Sequence, residues 1–132
     1  MKLFLSFLFL WVSITGSVAQ EVENEAMSDA IEKMFSKSDY LSLGKIFATT
    51  VQLELPKHTG QWSSVQTMYI VKEFFETFPV KFFEVLQFGT NMSNNTFLAG
   101  TYITETVIFD VYIVFKEENS KLCVYKLNIR EQ

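Results

Sequence analysis

WSSVQTMYIVKEFFETFP, residues Trp62 to Pro79, predicts a helix with both ends marked. Ser63 is a capping residue, and Gln66 three positions on completes a capping box, in which side chain and backbone satisfy each other's free amides. Met68, Val71, Phe74, Phe75 and Phe78 fall on one broad face. Gln66, Lys72, Glu73, Glu76 and Thr77 fall on the other. Pro79 ends the helix, because the residue before a proline avoids helical geometry. A helix with so large an apolar face requires a sheet to cover it.

The chain after Pro79 supplies that sheet. Four stretches read as strands, Phe82–Phe88, Thr96–Thr104, Val107–Lys116 and Lys121–Arg130, joined by the short polar links TNMSNN, ET and EENS. Links this short predict antiparallel hairpins. Parity then orders the last hairpin. A three-residue loop, Glu118 to Ser120, sets Val111 opposite Leu127 and Ile113 opposite Tyr125. It sets Asp110 opposite Asn128 and Tyr112 opposite Lys126, whereas a two-residue loop mixes apolar with polar. Phe82 and Phe83 point to opposite sides of their strand, and Phe88 shares the side of Phe82. The six phenylalanines of EFFETFPVKFFEVLQF (Glu73–Phe88) are therefore expected to be core.

Upstream, Met27, Ile31, Met34 and Phe35 recur at helical spacing after Asn24, a capping residue. A short second helix follows Ser38 or Asp39, with Leu43 and Phe47 one turn apart and Gly44 weakening it. TVQLELP (Thr50–Pro56) alternates Val51, Leu53 and Leu55 with polar residues, as a half-buried strand does, and KHTGQ (Lys57–Gln61) reads as a turn.

The N-terminus has the composition of an export signal. Lys2 precedes the apolar run Leu3–Val12, and small residues at Ser17 and Ala19 mark a cleavage point before Gln20. The run is shorter than the roughly 20 residues that span a bilayer. Removing residues 1–19 from the 132 leaves one domain of 113 residues with a formal charge of −5, since Lys2 departs, and no membrane span. The net acidity and the lack of a basic cluster exclude a nucleic-acid partner.

The order helix, helix, strand, helix and four antiparallel strands resembles the nuclear transport factor 2-like fold. WSSVQTMYIVKEFFETFP, FFEVLQFG, LAGTYIT, FDVYIVFK and KLCVYKLNIRE together resemble a small exported bacterial family of unknown function within that superfamily. The resemblance covers nearly the whole chain after residue 19. It implies export and an α+β cone, three N-terminal helices packed on a curved, mainly antiparallel sheet. Members often carry a histidine near the position of Gln87, which this chain lacks.

Chemistry is sparse. One cysteine, Cys123, permits no internal disulfide and sits in a strand pattern with Tyr125, Leu127 and Ile129, as a small core residue would. One histidine, His58, lies in a turn and reads as an exposed loop residue. His58 and Cys123 do not make a metal site, and no glycine-rich phosphate loop or cofactor motif is present. Asp110 would be a general base only if it pointed inward. The predicted register puts it on the outer face, so no catalytic residue is assigned. Asn91 and Asn94 match the glycosylation pattern but suit a polar hairpin turn equally well. The candidate ligand-lining residues are Phe75, Phe78, Phe109 and Tyr125. Their bulk predicts a mostly filled interior, which leaves the outer sheet face, with Tyr112, Val114 and Val124, or the loops for contacts. The expected function is an exported, non-enzymatic binding module. The alternatives are an acid/base enzyme using Asp110 and a homodimer through the sheet face.

Overall fold

The computed structural model describes residues 12–132, with side chains from Asn24 onward. Lys2 and most of the apolar run of the expected export signal lie outside the described residues. Three helices and six strands follow in the order α1 (Val12–Ser36), α2 (Tyr40–Ile46), β1 (Phe47–Glu54), β2 (Thr59–Ser63), α3 (Ser64–Thr77), β3 (Phe82–Thr90), β4 (Thr96–Ile103), β5 (Ile108–Glu118) and β6 (Lys121–Glu131). The strands form one mixed sheet, β2-β1-β6-β5-β4-β3, in which only β1 and β6 run parallel. Two features correct the sequence reading. The third helix is not N-terminal but follows a hairpin, and TGQWS is the second strand of that hairpin rather than a turn. α1 also runs unbroken through Asn24, which therefore caps nothing.

The local signals act as expected. Ser63 and Gln66 form the capping box at the start of α3. Asp39 caps α2 by accepting from the Ser42 backbone at 3.1 Å and from its hydroxyl at 2.6 Å. Gly44 costs α2 helical propensity but lets α3 approach: a Cβ there would lie 2.7 Å from Met68 Sδ. The buried face of α3 also includes Thr67 and Ile70, and the Thr67 hydroxyl donates back to the Ser63 carbonyl at 2.7 Å.

Register is where the structure departs most from parity. The β5–β6 turn has two residues, Asn119 and Ser120, both with positive φ, as a tight hairpin whose turn twist matches its strands requires. A bulge at Tyr125 then shifts the pairing, so that Val111 faces Ile129, Ile113 faces Leu127, Tyr112 faces Asn128 and Asp110 faces Arg130. The inserted residue restores apolar opposite apolar after a turn that alone would not. It also exchanges faces within β6: Val124 is core, while Cys123 is half-buried opposite exposed Lys116. A second bulge, at Leu86, acts likewise in β3. Phe82 stays outside and 54% exposed, Phe83 is buried, and Phe88 is turned inward against Phe115.

The core lies between the inner sheet face and the helices. Phe35 of α1 stacks on Phe83 at 4.7 Å and meets Phe75 of α3 edge-on at 5.7 Å. Tyr102 of β4 is fully buried beneath them, and its hydroxyl donates to the Phe78 carbonyl at the end of α3, 2.6 Å away. Burial pushes that hydroxyl well above the ordinary phenol range.

On the rim, Glu118 accepts from the Thr49 backbone at 3.0 Å and from its hydroxyl, tying the β5–β6 hairpin to β1. These bonds hold its carboxyl below the ordinary value. A folded-state pKa below the unfolded one gives stability that is complete above the unfolded value, about 4.3, and is lost as pH falls through the folded value. Glu118→Gln is therefore expected to lose less Tm than the parent between about pH 6 and about pH 3. Parallel melting-temperature losses for the two proteins, measured by circular dichroism, would deny the link that role.

Candidate functional site

The two ends of the interior differ in how they are filled. Between α3 and the sheet the rings touch: Phe74 and Phe109 at 5.2 Å, Phe78 and Phe109 at 4.9 Å, Phe75 and Tyr102 at 6.1 Å. The recess left there, lined by Leu55, His58, Ile70, Glu73, Phe74 and Phe78, holds about 20 Å³, space for one water. Of the four candidate lining residues, Phe75, Phe78 and Phe109 are brought together as packing. Tyr125 is not: it sits on the bulge, half-buried, with Lys116 Nζ 5.5 Å from its ring centroid. Its predicted inward position is corrected by the same inserted residue that moves Val124 inside.

At the other end the cone is open. A groove of about 510 Å³ runs between α1 and the tip of the β5–β6 hairpin, closed by the end of α2. Met27, Ala30 and Met34 of α1 form one wall; Ile46 and Leu122 face them; Asn24, Thr96, Ser120 and Glu117 rim it. On the far flank of α1, Asn24, Glu25, Ser28, Asp29 and Phe88 line a second recess of about 300 Å³. The sequence reading treated Met27 and Met34 as plain core and missed Ala30, Ile46, Leu122 and Glu117. One signal was present. Where α3 presents Phe74, Phe75 and Phe78, this part of α1 presents Met27 and Ala30, too small or too flexible to fill the same space.

The remaining candidates lie apart from the groove. Asp110 is exposed on the outer face, paired across from Thr101 and Arg130, and accepts from the Gln132 amide at 2.7 Å. The outward direction agrees with the sequence reading; the neighbours differ by one pair. His58 is half-buried, its ring edge-on to Trp62 at 6.1 Å. Burial and the charge of Glu118 raise the Cys123 thiol above its ordinary value. Asn91 is used by its own turn: its side-chain Oδ1 accepts from the Ser93 and Asn95 backbone amides, and its side-chain Nδ2 donates to the Tyr112 hydroxyl. Among the described residues no group of three His, Cys, Asp or Glu could hold a metal ion, and no helix is long and apolar enough to cross a membrane.

Comparison with solved structures identifies the fold. A DUF4783 family protein from Bacteroides uniformis superposes with a TM-score of 0.72 at 18% identity, covering 79% of this chain and 95% of that one. A second, from Bacteroides fragilis, gives 0.70 at 19% identity, covering 77% and 95%. An NTF-2 like protein of unknown function from Burkholderia xenovorans gives 0.62 at 11% identity, covering 85% and 84%. The fold is thus nuclear transport factor 2-like. A search of curated proteins found no match. The model of DUF4783, a domain of unknown function, matches residues 28–130, from the middle of α1 nearly to the end of β6, and the chain belongs to that family.

Proposed function

We propose that the protein is an exported, non-catalytic module that binds a small apolar molecule in the groove between α1 and the β5–β6 hairpin. The groove itself carries the reading. Its volume of about 510 Å³ lies within the range of small-molecule sites, about 300–1,000 Å³, whereas the recess beside α3 holds about 20 Å³. Its lining is apolar with a few polar groups at the rim, and its two methionines can reshape around different ligands. The export signal before Gln20 supports placement outside the cytoplasm, and every groove residue lies after the cleavage point.

One preparation tests both parts. Expressed with its leader in a Gram-negative host, the protein is expected outside the cytoplasm with Gln20 at its N-terminus by intact mass. That protein is then screened by thermal shift against neutral, anionic and cationic apolar molecules. A saturable rise in Tm with one class, lost in Ala30→Trp, supports the groove; retained residues 1–19, or no saturable shift with any class, overturns export or binding respectively.

A further inference from the structure

We infer that the groove, read as above as a ligand site, selects an apolar molecule carrying a cationic head over neutral or anionic ones. Met27, Ala30, Met34, Ile46 and Leu122 make the floor and walls, and Glu117 is the charged side chain that lines it. The ion pairs among the described residues are Lys72–Glu76 and Arg130–Glu54, so Glu117 makes no ion pair within 4.0 Å with a described Lys or Arg, although Lys116 and Lys121 stand on the same hairpin. Glu117 pairs across the hairpin with Leu122, which puts its charge at the mouth beside an apolar wall.

The helix forming the other wall adds to the same sign. Between Leu3 and Glu32 the chain contains no Lys or Arg, while Glu25, Asp29 and Glu32 follow one another along the described part of α1. Glu25 and Asp29 line the recess on its other flank. An anionic head entering here meets the like charge of Glu117 at the mouth, with the acidic flank of α1 lying behind the apolar wall. A cationic head meets opposite charge, while its chain covers apolar surface that is otherwise wet. Partial exposure of the mouth keeps the electrostatic share modest, about threefold to tenfold in affinity between a cationic and a neutral head.

Calorimetry with decyltrimethylammonium, decanol and decanoate, each below its micelle concentration, tests this on the protein beginning at Gln20. The expected order is cation, then neutral, then anion, with 1:1 stoichiometry and a cation preference that shrinks as salt is raised. Glu117→Gln is expected to reduce the preference about threefold to tenfold, and Glu117→Lys to turn it towards decanoate. Asp110→Asn makes the same change in net charge on the opposite face and is expected to leave the order alone. Decanoate binding as well as the cation, or a preference indifferent to Glu117 but moved by Asp110, overturns the charge assignment while leaving the groove as a binding site. Failure of all three probes to bind overturns both.

Discussion

Phe75→Ala is expected to lower the unfolding free energy by about 3–5 kcal/mol, the cost of truncating a large buried aromatic. The ring is 5% exposed and stands where α1, α3 and the sheet meet: edge-on to Phe35, parallel to Tyr102, tilted against Phe74. Its loss leaves a hole that the surrounding rings, themselves held by Phe83 and Phe109, cannot close without leaving their own contacts. A domain of this size has only about 5–15 kcal/mol in hand, so the variant should sit near the edge of folding. His58→Ala is the comparison, expected within about 0.5 kcal/mol. Equal shifts of the two urea midpoints would mean that the phenylalanine cluster does not hold the domain together.

Gly100→Ala should cost about 1–3 kcal/mol, the usual penalty for forcing volume into a packed core. Gly100 lies in the middle of β4, opposite Val85 on one side and Val111 on the other. A Cβ there would lie 2.8 Å from the Glu84 carbonyl oxygen and 2.9 Å from Phe83 Cζ. The first neighbour is backbone and cannot rotate away. The second is the ring on which Phe35 stacks, so relief at one contact disturbs another. Gly89→Ala, where the nearest atom to a new Cβ is a Phe97 ring carbon at 3.9 Å, is expected to be near neutral. If Gly100→Ala melted no lower than Gly89→Ala in thermal denaturation, the close approach of Phe83 to β4 would not be a constraint.

What could be read from the sequence was local. Ser63 with Gln66, Asp39 before α2 and Pro79 after α3 mark their elements because capping and proline geometry act within three or four residues. The face of α3 was legible for the same reason. Strand faces were legible only as far as the alternation ran unbroken. The bulges at Leu86 and Tyr125 each add one residue, which sends Phe88 in and Cys123 and Tyr125 out of the positions parity gives them. No residue type marks them, because a bulge answers to the partner strand rather than to its own sequence. β2 was hidden because TGQWS has no apolar alternation, and Trp62 is its one inward anchor. The groove was hidden for a different reason: it is an absence of packing between segments some 90 residues apart, α1 and the β5–β6 tip, whereas the large residues that announce a core are what the sequence displays.

The Leu86 bulge has a bearing on solubility. β3 closes the sheet with β4 on one side and open backbone on the other. A regular edge of nine residues, rich in phenylalanine and bearing exposed Phe82 and Leu86, would be a template for a stray strand from another copy. The bulge interrupts the spacing of its free amides and carbonyls midway, and Lys81 and Glu84 put charge on the stretch before it. A second chain could match only a few residues before falling out of step. The irregularity that turns Phe88 inward thus also guards an edge that would otherwise invite aggregation.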